Sequence, residues 1–416
     1  MADRAGKHHP PTVLRPTRRW AIALAVLTLA TALAALGNAG SPASRPLGGS
    51  HPTHRATSWP TQIPARAIVR RRAAHERTLT LAQLAGQRII YAYAGLQPPS
   101  SLLTLIRAGE AAGVILFSNN IASTAQISAV IRELQTASAQ SLIHAPLLIL
   151  TDQEGGEVRR LPGAPVPSER YIGMSPNRVS LARAAGAGAA INLAGAGINV
   201  NLAPVLDVFR QSGNFIDEFQ RSYSSDPDVV AELGGAFISA QQHRGVAAAA
   251  KHFPGLGAAT RDQNTDATPV LLNVSSSTLR RVDELPYQAA VAAGVKLVMT
   301  SWAVYPALDP RLPAGLSPTI IQGELRRHLA FKGITITDAI TAAALARFGP
   351  LGERGIMAAR AGADLIICSA TNPAANTPAE GVAVLAALQS ALANGQLSQT
   401  EARQAAAAVL ALRRHP

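Results

Sequence analysis

Eight short apolar segments recur along the chain, each separated from the next by a longer stretch that contains Ala-rich helical patterns. Most of the eight are continuous apolar runs, typical of strands that are buried on both faces. A strand–helix alternation repeated eight times predicts an α/β fold, a single (β/α)8 TIM-type barrel over residues 79–416. The runs are Arg88–Tyr93, Gly113–Phe117, Pro146–Asp152, Ile198–Leu202, Val246–Lys251, Lys296–Ser301, Ile334–Asp338 and Asp364–Cys368.

The segments between these runs predict the helices of the barrel. Apolar residues at helical spacing predict helices at Thr124–Ala139, Val179–Ala194, Asp228–Arg244 and Ser276–Ala293. The fifth run is the least strand-like, because its alanines favour a helix. A doubly wound open sheet is the main alternative. Such a sheet normally has a glycine-rich phosphate loop after its first strand, and this sequence lacks one there.

The positive charge of the chain lies mostly outside the predicted barrel. The net charge is +13, but residues 1–78 hold 12 of the 38 Lys and Arg and only 2 of the 25 Asp and Glu, which leaves +3 for residues 79–416. Nucleic-acid binding requires a basic patch on the folded surface. The charge distribution therefore argues against a nucleic-acid partner.

The N-terminal region has the organisation of an exported protein. An uncharged segment at Trp20–Ala39 follows three arginines and precedes small residues, which is the pattern of a signal peptide. At about 20 residues it is also long enough to cross a bilayer once. Residues 1–39 are thus predicted to be a cleaved signal or a membrane anchor, and residues 40–78, rich in Pro, Ser, His and Arg, a flexible linker. Membrane contact is expected only through residues 20–39, if they are retained.

The distribution of cysteine and histidine indicates no metal site and no disulfide. Cys368 is the one cysteine and lies in the eighth apolar run, so we expect an inert buried thiol. The ten histidines are scattered, without the spacing typical of metal ligands. The sequence predicts neither a metal nor an organic cofactor.

Three of the apolar runs end in ionisable residues. Asp152 ends the third run, Lys251 and His252 end the fifth, and Asp338 ends the seventh. In a TIM barrel the active site lies at the carboxyl ends of the strands. Each residue also has a structural explanation, since Asp152 or Asp338 could cap a following helix and Lys251 could pair with Asp152. Their convergence on one rim favours a functional site.

At these residues the chain resembles glycoside hydrolase family 3, in its single-barrel β-N-acetylglucosaminidase branch. The resemblance extends from about Leu79 to Arg413. The strongest block, Lys251-His252-Phe253-Pro254-Gly255, matches the family signature at every residue. The other blocks are Asp152-Gln153-Glu154-Gly155-Gly156, Gly333–Asp338, Gly113–Phe117, Asn201–Val208, Arg221-Ser222-Tyr223 and Leu316-Ser317-Pro318.

The resemblance implies a role for each of these polar residues. Asp338 would be the nucleophile that forms a covalent glycosyl-enzyme intermediate. A retaining glycosidase needs this carboxylate ionised, and a basic neighbour such as Lys251 would keep it so. The residues implied to bind the hydroxyls and ring of the terminal sugar are Asp152, Arg160, Arg221, Lys251 and His252.

The loop after the fifth run departs from the family pattern. That branch has an acid/base histidine in an Asp-Ser-His element, and here the corresponding residues are Asp262-Gln263-Asn264. Asparagine cannot shuttle a proton near neutral pH. Asp262 or Asp266 is the expected replacement, with a pKa raised by an apolar setting. The other interpretations are an enzyme restricted to activated substrates and a barrel that binds glycans without cleaving them.

Together these features predict a retaining glycoside hydrolase whose partner is a carbohydrate. Its expected reaction is the removal of terminal β-linked N-acetylglucosamine from peptidoglycan-type cell-wall fragments outside the cytoplasm. One alternative is a β-glucosidase or β-xylosidase on the same fold. The other is a catalytically impaired wall-glycan binding protein, which Asn264 favours and the presence of Asp338 disfavours. Glu157 stands where the family usually has arginine and adds a negative charge near the site.

Overall fold

The computed structural model describes residues 79–416, which form a closed barrel of eight parallel strands surrounded by helices. The strands pair in chain order, and the last closes on the first, with Ile366 opposite Ile89. The predicted (β/α)8 barrel is confirmed, and the open-sheet alternative is wrong. The barrel strands are β1 (Ile89–Tyr91), β2 (Gly113–Ile115), β3 (Leu148–Thr151), β4 (Val200–Asn201), β5 (Ala247–Phe253), β6 (Leu297–Thr300), β7 (Ile334–Ala339) and β8 (Leu365–Cys368).

The helices of the described residues confirm most of the predicted ones. Thr124–Ala139 is confirmed at both ends, and the next two predicted helices differ from the observed ones by one or two residues at each end. The α-helices are α1 (Leu81–Gly86), α2 (Ser100–Ala108), α3 (Thr124–Ala139), α4 (Glu169–Met174), α5 (Arg178–Ala196), α6 (Pro227–Gln242), α7 (Leu285–Ala292), α8 (Leu351–Ala361), α9 (Ala379–Ala393) and α10 (Gln399–Arg414).

Shorter helical segments and two hairpins lie between these elements. Single helical turns or 3-10 segments occur at Ser118–Asn120, Ser276–Thr278, Ala314–Leu316, Ala343–Phe348 and Pro373–Ala375. π-helical segments occur at Leu279–Asp283 and Thr319–His328. The hairpins pair Gln153–Gly155 with Val158–Arg159 after β3, and Val304–Tyr305 with Asp309–Pro313 after β6.

The prediction of a single helix at Ser276–Ala293 was wrong in one respect. A π-helical segment interrupts it, and the N–H of Glu284 donates to the carbonyl of Leu279, five residues back, at 2.8 Å. Proline has no N–H to continue the regular ladder, and Pro286 lies just beyond this point. The helix therefore changes its hydrogen-bond register before α7 begins.

Alanine makes β5 suitable for the middle of the barrel. Ala247 and Ala249 belong to the apolar cluster inside the barrel, whereas Ala248 and Ala250 pack in the layer between strands and helices. All seven residues of β5 are buried, so small side chains fit where neighbouring strands converge. Burial on both faces outweighs the helix propensity of the sequence. The prediction that Cys368 lies buried in a strand is also confirmed.

The predictions for residues 1–39 and 40–78 lie outside the described residues. Among residues 79–416, every helix is too short or too polar to cross a membrane.

Candidate active site

A cavity of about 650 Å³ opens at the carboxyl ends of the barrel strands. Asp262 is exposed on the loop after β5 and does not line it. The other predicted site residues all line this cavity: Asp152, Arg160, Arg221, Lys251, His252, Asp266 and Asp338. The structure therefore brings seven of the eight predicted residues together and leaves Asp262 outside.

A network of ion pairs forms the polar wall of the cavity. Lys251, only 2% exposed, places its Nζ 2.8 Å from both Asp152 Oδ1 and Glu154 Oε1. Arg221 donates two hydrogen bonds of 2.9 Å to the two carboxylate oxygens of Glu154. Arg160 Nη2 lies 3.6 Å from Asp152 Oδ2, the carboxylate oxygen that is not paired with Lys251. These groups therefore hold one another in fixed positions at the cavity wall.

The network determines which of these groups are charged. Burial alone would raise the pKa of the Asp152 carboxyl, but Lys251 and Arg160 outweigh it and hold that pKa well below its usual range. Burial also opposes ionisation of Glu154, and Arg221 and Lys251 lower its pKa in the same way. Burial lowers the pKa of Lys251, yet the two carboxylates produce a net increase. All of these groups are therefore ionised at neutral pH.

His252 is oriented by a buried carboxylate. Its Nδ1 lies 2.7 Å from Asp207 Oδ2, while Asp207 Oδ1 accepts a hydrogen bond from the N–H of Leu256 at 2.6 Å. A neutral imidazole that donates from Nδ1 to Asp207 leaves Nε2 as an acceptor for a ligand. Asp207 thus fixes both the ring and the loop that follows β5.

Asp338 lies at the end of β7 rather than at the start of a helix. The strand continues through Ala339, and the next helical segment begins at Ala343 with Ala342 as its N-cap. The interpretation of Asp338 as a helix cap is therefore wrong. Trp302 donates from Nε1 to the carbonyl of Ala339 at 2.9 Å and so fixes the strand end beside the carboxylate.

The loop after β5 is held across the mouth of the barrel by main-chain contacts. Gly257 approaches the segment that follows β4 so closely that a Cβ would clash with the carbonyl oxygen of Val208, so this position requires glycine. Farther along, the carbonyls of Thr265 and Asp266 accept hydrogen bonds of 3.2 and 3.0 Å from the N–H groups of Ala344 and Ala343. These two bonds join the loop to the segment that follows Asp338.

Asn264 and Asp266 differ in what their side chains contact. The side-chain oxygen of Asn264 accepts the N–H of Asp266 at 2.8 Å, so this side chain closes its own turn. Asp266 remains exposed at the mouth of the cavity and lines it together with Asp338. Partial desolvation of its carboxyl at the cavity mouth, followed by the nearby charge of Asp338, raises the pKa of Asp266 to about 6.

A second, more open cavity of about 600 Å³ adjoins the first at Phe219, whose side chain borders both. Its wall includes Tyr171 and Val166, which are 61% and 64% exposed, and Phe219 itself is 46% exposed. The exposed carboxylate-bearing residue Glu157 lies at the same wall. We refer to the two rings of Tyr171 and Phe219, together with the neighbouring side chain of Val166, as the aromatic shelf.

Glu154, Asp207 and Glu169 were not predicted as functional residues. Glu154 and Asp207 lie within the sequence blocks already noted, in the segments that follow β3 and β4, and that position was the available signal. Glu169 lies outside those blocks, and the sequence held no such signal for it. Its buried carboxylate accepts the N–H of Val205 at 3.1 Å, and burial followed by the charge of Glu154 raises its pKa well above the usual range.

Comparisons with known proteins agree with this geometry. The model of the glycosyl hydrolase family 3 N terminal domain matches residues 80–412. An uncharacterized secreted glycosyl hydrolase of Arthroderma benhamiae is 44% identical over 336 residues, 80% of this chain and 93% of that protein. A β-hexosaminidase of Thioalkalivibrio sulfidiphilus is 35% identical over 294 residues, 69% of this chain and 79% of that protein. The structure of a glycoside hydrolase family 3 β-N-acetylglucosaminidase from Paenibacillus is 35% identical with a TM-score of 0.75, over 81% of this chain and 63% of that longer one.

Proposed function

Because the chain belongs to glycosyl hydrolase family 3 and is a glycoside hydrolase, we propose that it removes terminal β-linked N-acetylglucosamine from cell-wall glycan fragments through a covalent intermediate on Asp338. One observation supports this most directly: the ionised network around Lys251 shares a single cavity with two further carboxyl groups, Asp338 and Asp266. A retaining glycosidase needs such a pair of carboxyl groups next to groups that hold the sugar.

The proposed reaction has two steps. In the first, the Asp338 carboxylate attacks the anomeric carbon while Asp266 gives its proton to the oxygen of the departing sugar. In the second, ionised Asp266 takes a proton from water, and the water oxygen displaces Asp338 from the anomeric carbon. The configuration inverts in each step, so the released N-acetylglucosamine keeps its β configuration.

The network around Lys251 binds the terminal sugar in this proposal. Asp152, Lys251 and His252 present acceptors and donors at the cavity surface that match the hydroxyl groups of a pyranose. Because the ion pairs fix these groups in advance, they can favour the distorted ring of the transition state over the relaxed substrate. Asp207 and Glu154 act through His252 and Arg221 and are positioning residues.

The aromatic shelf accommodates the rest of the glycan. It begins at Phe219, where the first cavity ends, and its exposed rings offer flat apolar surfaces outside the cavity. An exposed apolar patch that continues from a polar pocket is typical of a binding site for an extended ligand. We place the sugar on the reducing side of the cleaved bond at this shelf.

The β-hexosaminidase relative and the Paenibacillus enzyme support N-acetylglucosamine over glucose or xylose. We expect kcat/KM for the nitrophenyl N-acetyl-β-glucosaminide to exceed that for the β-glucoside and the β-xyloside by about tenfold or more. Release of nitrophenol from the three substrates measures this. An equal or reversed preference would contradict the choice of N-acetylglucosamine, and a reversed one would favour the β-glucosidase or β-xylosidase alternative.

The pKa of Asp266 predicts the pH dependence of the enzyme. A general acid must carry its proton, and a carboxyl with a pKa near 6 is protonated below that pH and ionised above it. We therefore expect kcat/KM on a β-linked disaccharide to fall about tenfold per pH unit above about pH 6. Asp266→Asn should abolish this decline and lower kcat/KM on the disaccharide by about 10²-fold or more.

Asp262→Asn is the matched control for this experiment. Asp262 is on the same loop but does not line the cavity, so its variant should retain the wild-type pH profile within about twofold. If the fall of kcat/KM above pH 6 disappeared in Asp262→Asn and remained in Asp266→Asn, Asp262 would be the acid instead.

We also propose that the protein is exported through residues 1–39. The Arthroderma benhamiae relative, which matches this chain over 80% of its length, bears the name of a secreted protein. Export would place the active site where cell-wall glycans are found.

A further inference from the structure

Two helical segments on the outside of the barrel bring two acidic side chains and a histidine together. Glu284 lies between the π-helical segment Leu279–Asp283 and α7, and Glu324 and His328 lie on the π-helical segment Thr319–His328. One ligand atom from each of the three side chains lies within 4.8 Å of the other two. None of the three lines the sugar-binding cavity.

Glu284 is the residue that needs an explanation. It is 0% exposed, and both of its carboxylate oxygens lack a hydrogen-bond partner among residues 79–416. A buried carboxylate without a partner is costly, and most such groups in proteins are paired or coordinate a metal. The nearest basic group from the facing helical segment is His328, whose Nε2 is 3.9 Å from Glu284 Oε2, which is too far for a hydrogen bond.

The surrounding charges leave Glu284 without compensation. Arg280 is bound to Glu324, with its Nε and Nη2 3.1 and 2.8 Å from the two carboxylate oxygens. Neighbouring Asp283 is paired with Arg210 at 2.6 Å. Each oxygen of Glu324 keeps further lone pairs beyond its bond with Arg280, so Glu324 can still bind a cation.

We propose that Glu284, Glu324 and His328 bind a zinc ion that links the two helical segments. A mixed set of carboxylate and imidazole ligands suits zinc, and a water molecule would complete four-coordination. Ligand atoms around tetrahedral zinc lie about 3.3 Å apart, given bonds of about 2.0 Å. His328 has a side chain that is 42% exposed, so it is free to move inward by the remaining distance.

The sequence does not reveal this site because its ligands come from two segments forty residues apart. Metal-binding patterns recognised in sequences depend on close spacing. Here Glu324 and His328 share one helix face. The third ligand, Glu284, directly follows the π-helical segment Leu279–Asp283, where the hydrogen-bond register changes. The site belongs to the fold and has no part in the hydrolysis of the sugar.

Zinc binding to the full chain tests the proposal. After treatment with a chelator, zinc is added, and the bound metal and the thermal unfolding temperature are measured for the wild type, Glu284→Gln and His328→Gln. Because other histidines, including adjacent His8 and His9, are also able to bind zinc, the number of zinc ions bound is compared between the wild type and each variant. We expect each variant to bind one zinc ion fewer than the wild type. At about 100-fold excess over Kd, zinc should raise the wild-type Tm by about 3–5 °C through this site.

His415→Gln is the matched control, since it removes an exposed histidine elsewhere and should keep the wild-type stoichiometry. Without metal, Glu284→Gln should unfold at or above the wild-type temperature, because the amide replaces a buried carboxyl that has no hydrogen-bond partner and whose charge burial disfavours. With zinc the order should reverse, which also separates loss of the site from misfolding. Equal zinc binding and equal Tm shifts in wild type and both variants would overturn the proposal. Preferential binding of Ca²⁺ or Mn²⁺ would overturn the choice of zinc.

Discussion

Asp338→Asn is expected to lower kcat/KM by about 10⁴-fold or more on every substrate that the wild type cleaves. The amide keeps the shape of the side chain and its hydrogen bond with the N–H of Ala339. It cannot form the covalent intermediate, however, because it lacks the negative charge and nucleophilicity of the carboxylate. The fold should be unaffected, since Asp338 is partly exposed in the cavity and takes no part in the ion-pair network.

A fluorinated glycoside with a good leaving group isolates the first step of the reaction. Its glycosyl transfer does not need a proton from Asp266, and the fluorine slows hydrolysis of the intermediate. Intact mass and peptide mapping of the wild type should locate the sugar on Asp338, and Asp338→Asn should form no adduct. Asp262→Asn, which removes an exposed carboxylate outside the cavity, should label like the wild type. An adduct on another residue would refute the assignment of the nucleophile. The absence of any adduct would favour a glycan-binding protein.

Lys251→Met is expected to lower the free energy of unfolding by about 3–5 kcal/mol at pH 7. The methionine preserves the length of the side chain but leaves the carboxylates of Asp152 and Glu154 without the cation that lies 2.8 Å from each. Sugar cleavage should also become undetectable, because the network that we propose to bind the hydroxyl groups is lost. Urea unfolding monitored by fluorescence measures the stability.

The pH dependence of this loss has a definite sign. In the wild type the pKa of Asp152 and that of Glu154 are depressed, so these groups stabilise the fold above their unfolded pKa values and lose that contribution as the pH falls. Without Lys251 both carboxyls can take up protons more easily. The difference between wild type and Lys251→Met should therefore be smaller at pH 4 than at pH 7. Lys296→Met, at an exposed position, should change stability by less than about 0.5 kcal/mol.

The barrel was predictable from sequence because its strands are buried on both faces. That requirement produces continuous apolar runs, and the polar residues that end them necessarily meet at one rim. Even β5, whose alanines favour a helix, was recognisable from its place in the alternation. Periodicity reports burial, however, and not hydrogen-bond register, so the π-helical segment at Leu279–Asp283 was missed.

Which of the two loop aspartates lines the cavity could not be decided from sequence for a related reason. Asp262 and Asp266 lie on one loop, four residues apart, and both are carboxyl groups near an apolar stretch. Their difference arises from contacts between distant segments, namely the two hydrogen bonds that join residues 265–266 to residues 343–344. Such contacts leave no pattern in the loop itself. Glu169 was missed in the same way, because its place under the network depends on how α4 packs.

The attachment of the loop after β5 to the segment after Asp338 bears on which side-chain substitutions the loop can tolerate. The two bonds that make the attachment use backbone atoms only, so the path of the loop does not depend on which side chains it carries at these positions. We therefore expect that an acidic group can move from one position of the loop to another while the distance between the loop and the segment after Asp338 is preserved. Asn264 and Asp266 fit such an exchange in the mechanism that we propose, since the first side chain closes a turn and the second lines the cavity. Under the proposed mechanism, proton transfer therefore depends on how this loop is anchored to the segment that follows β7, and the residue that performs it is replaceable.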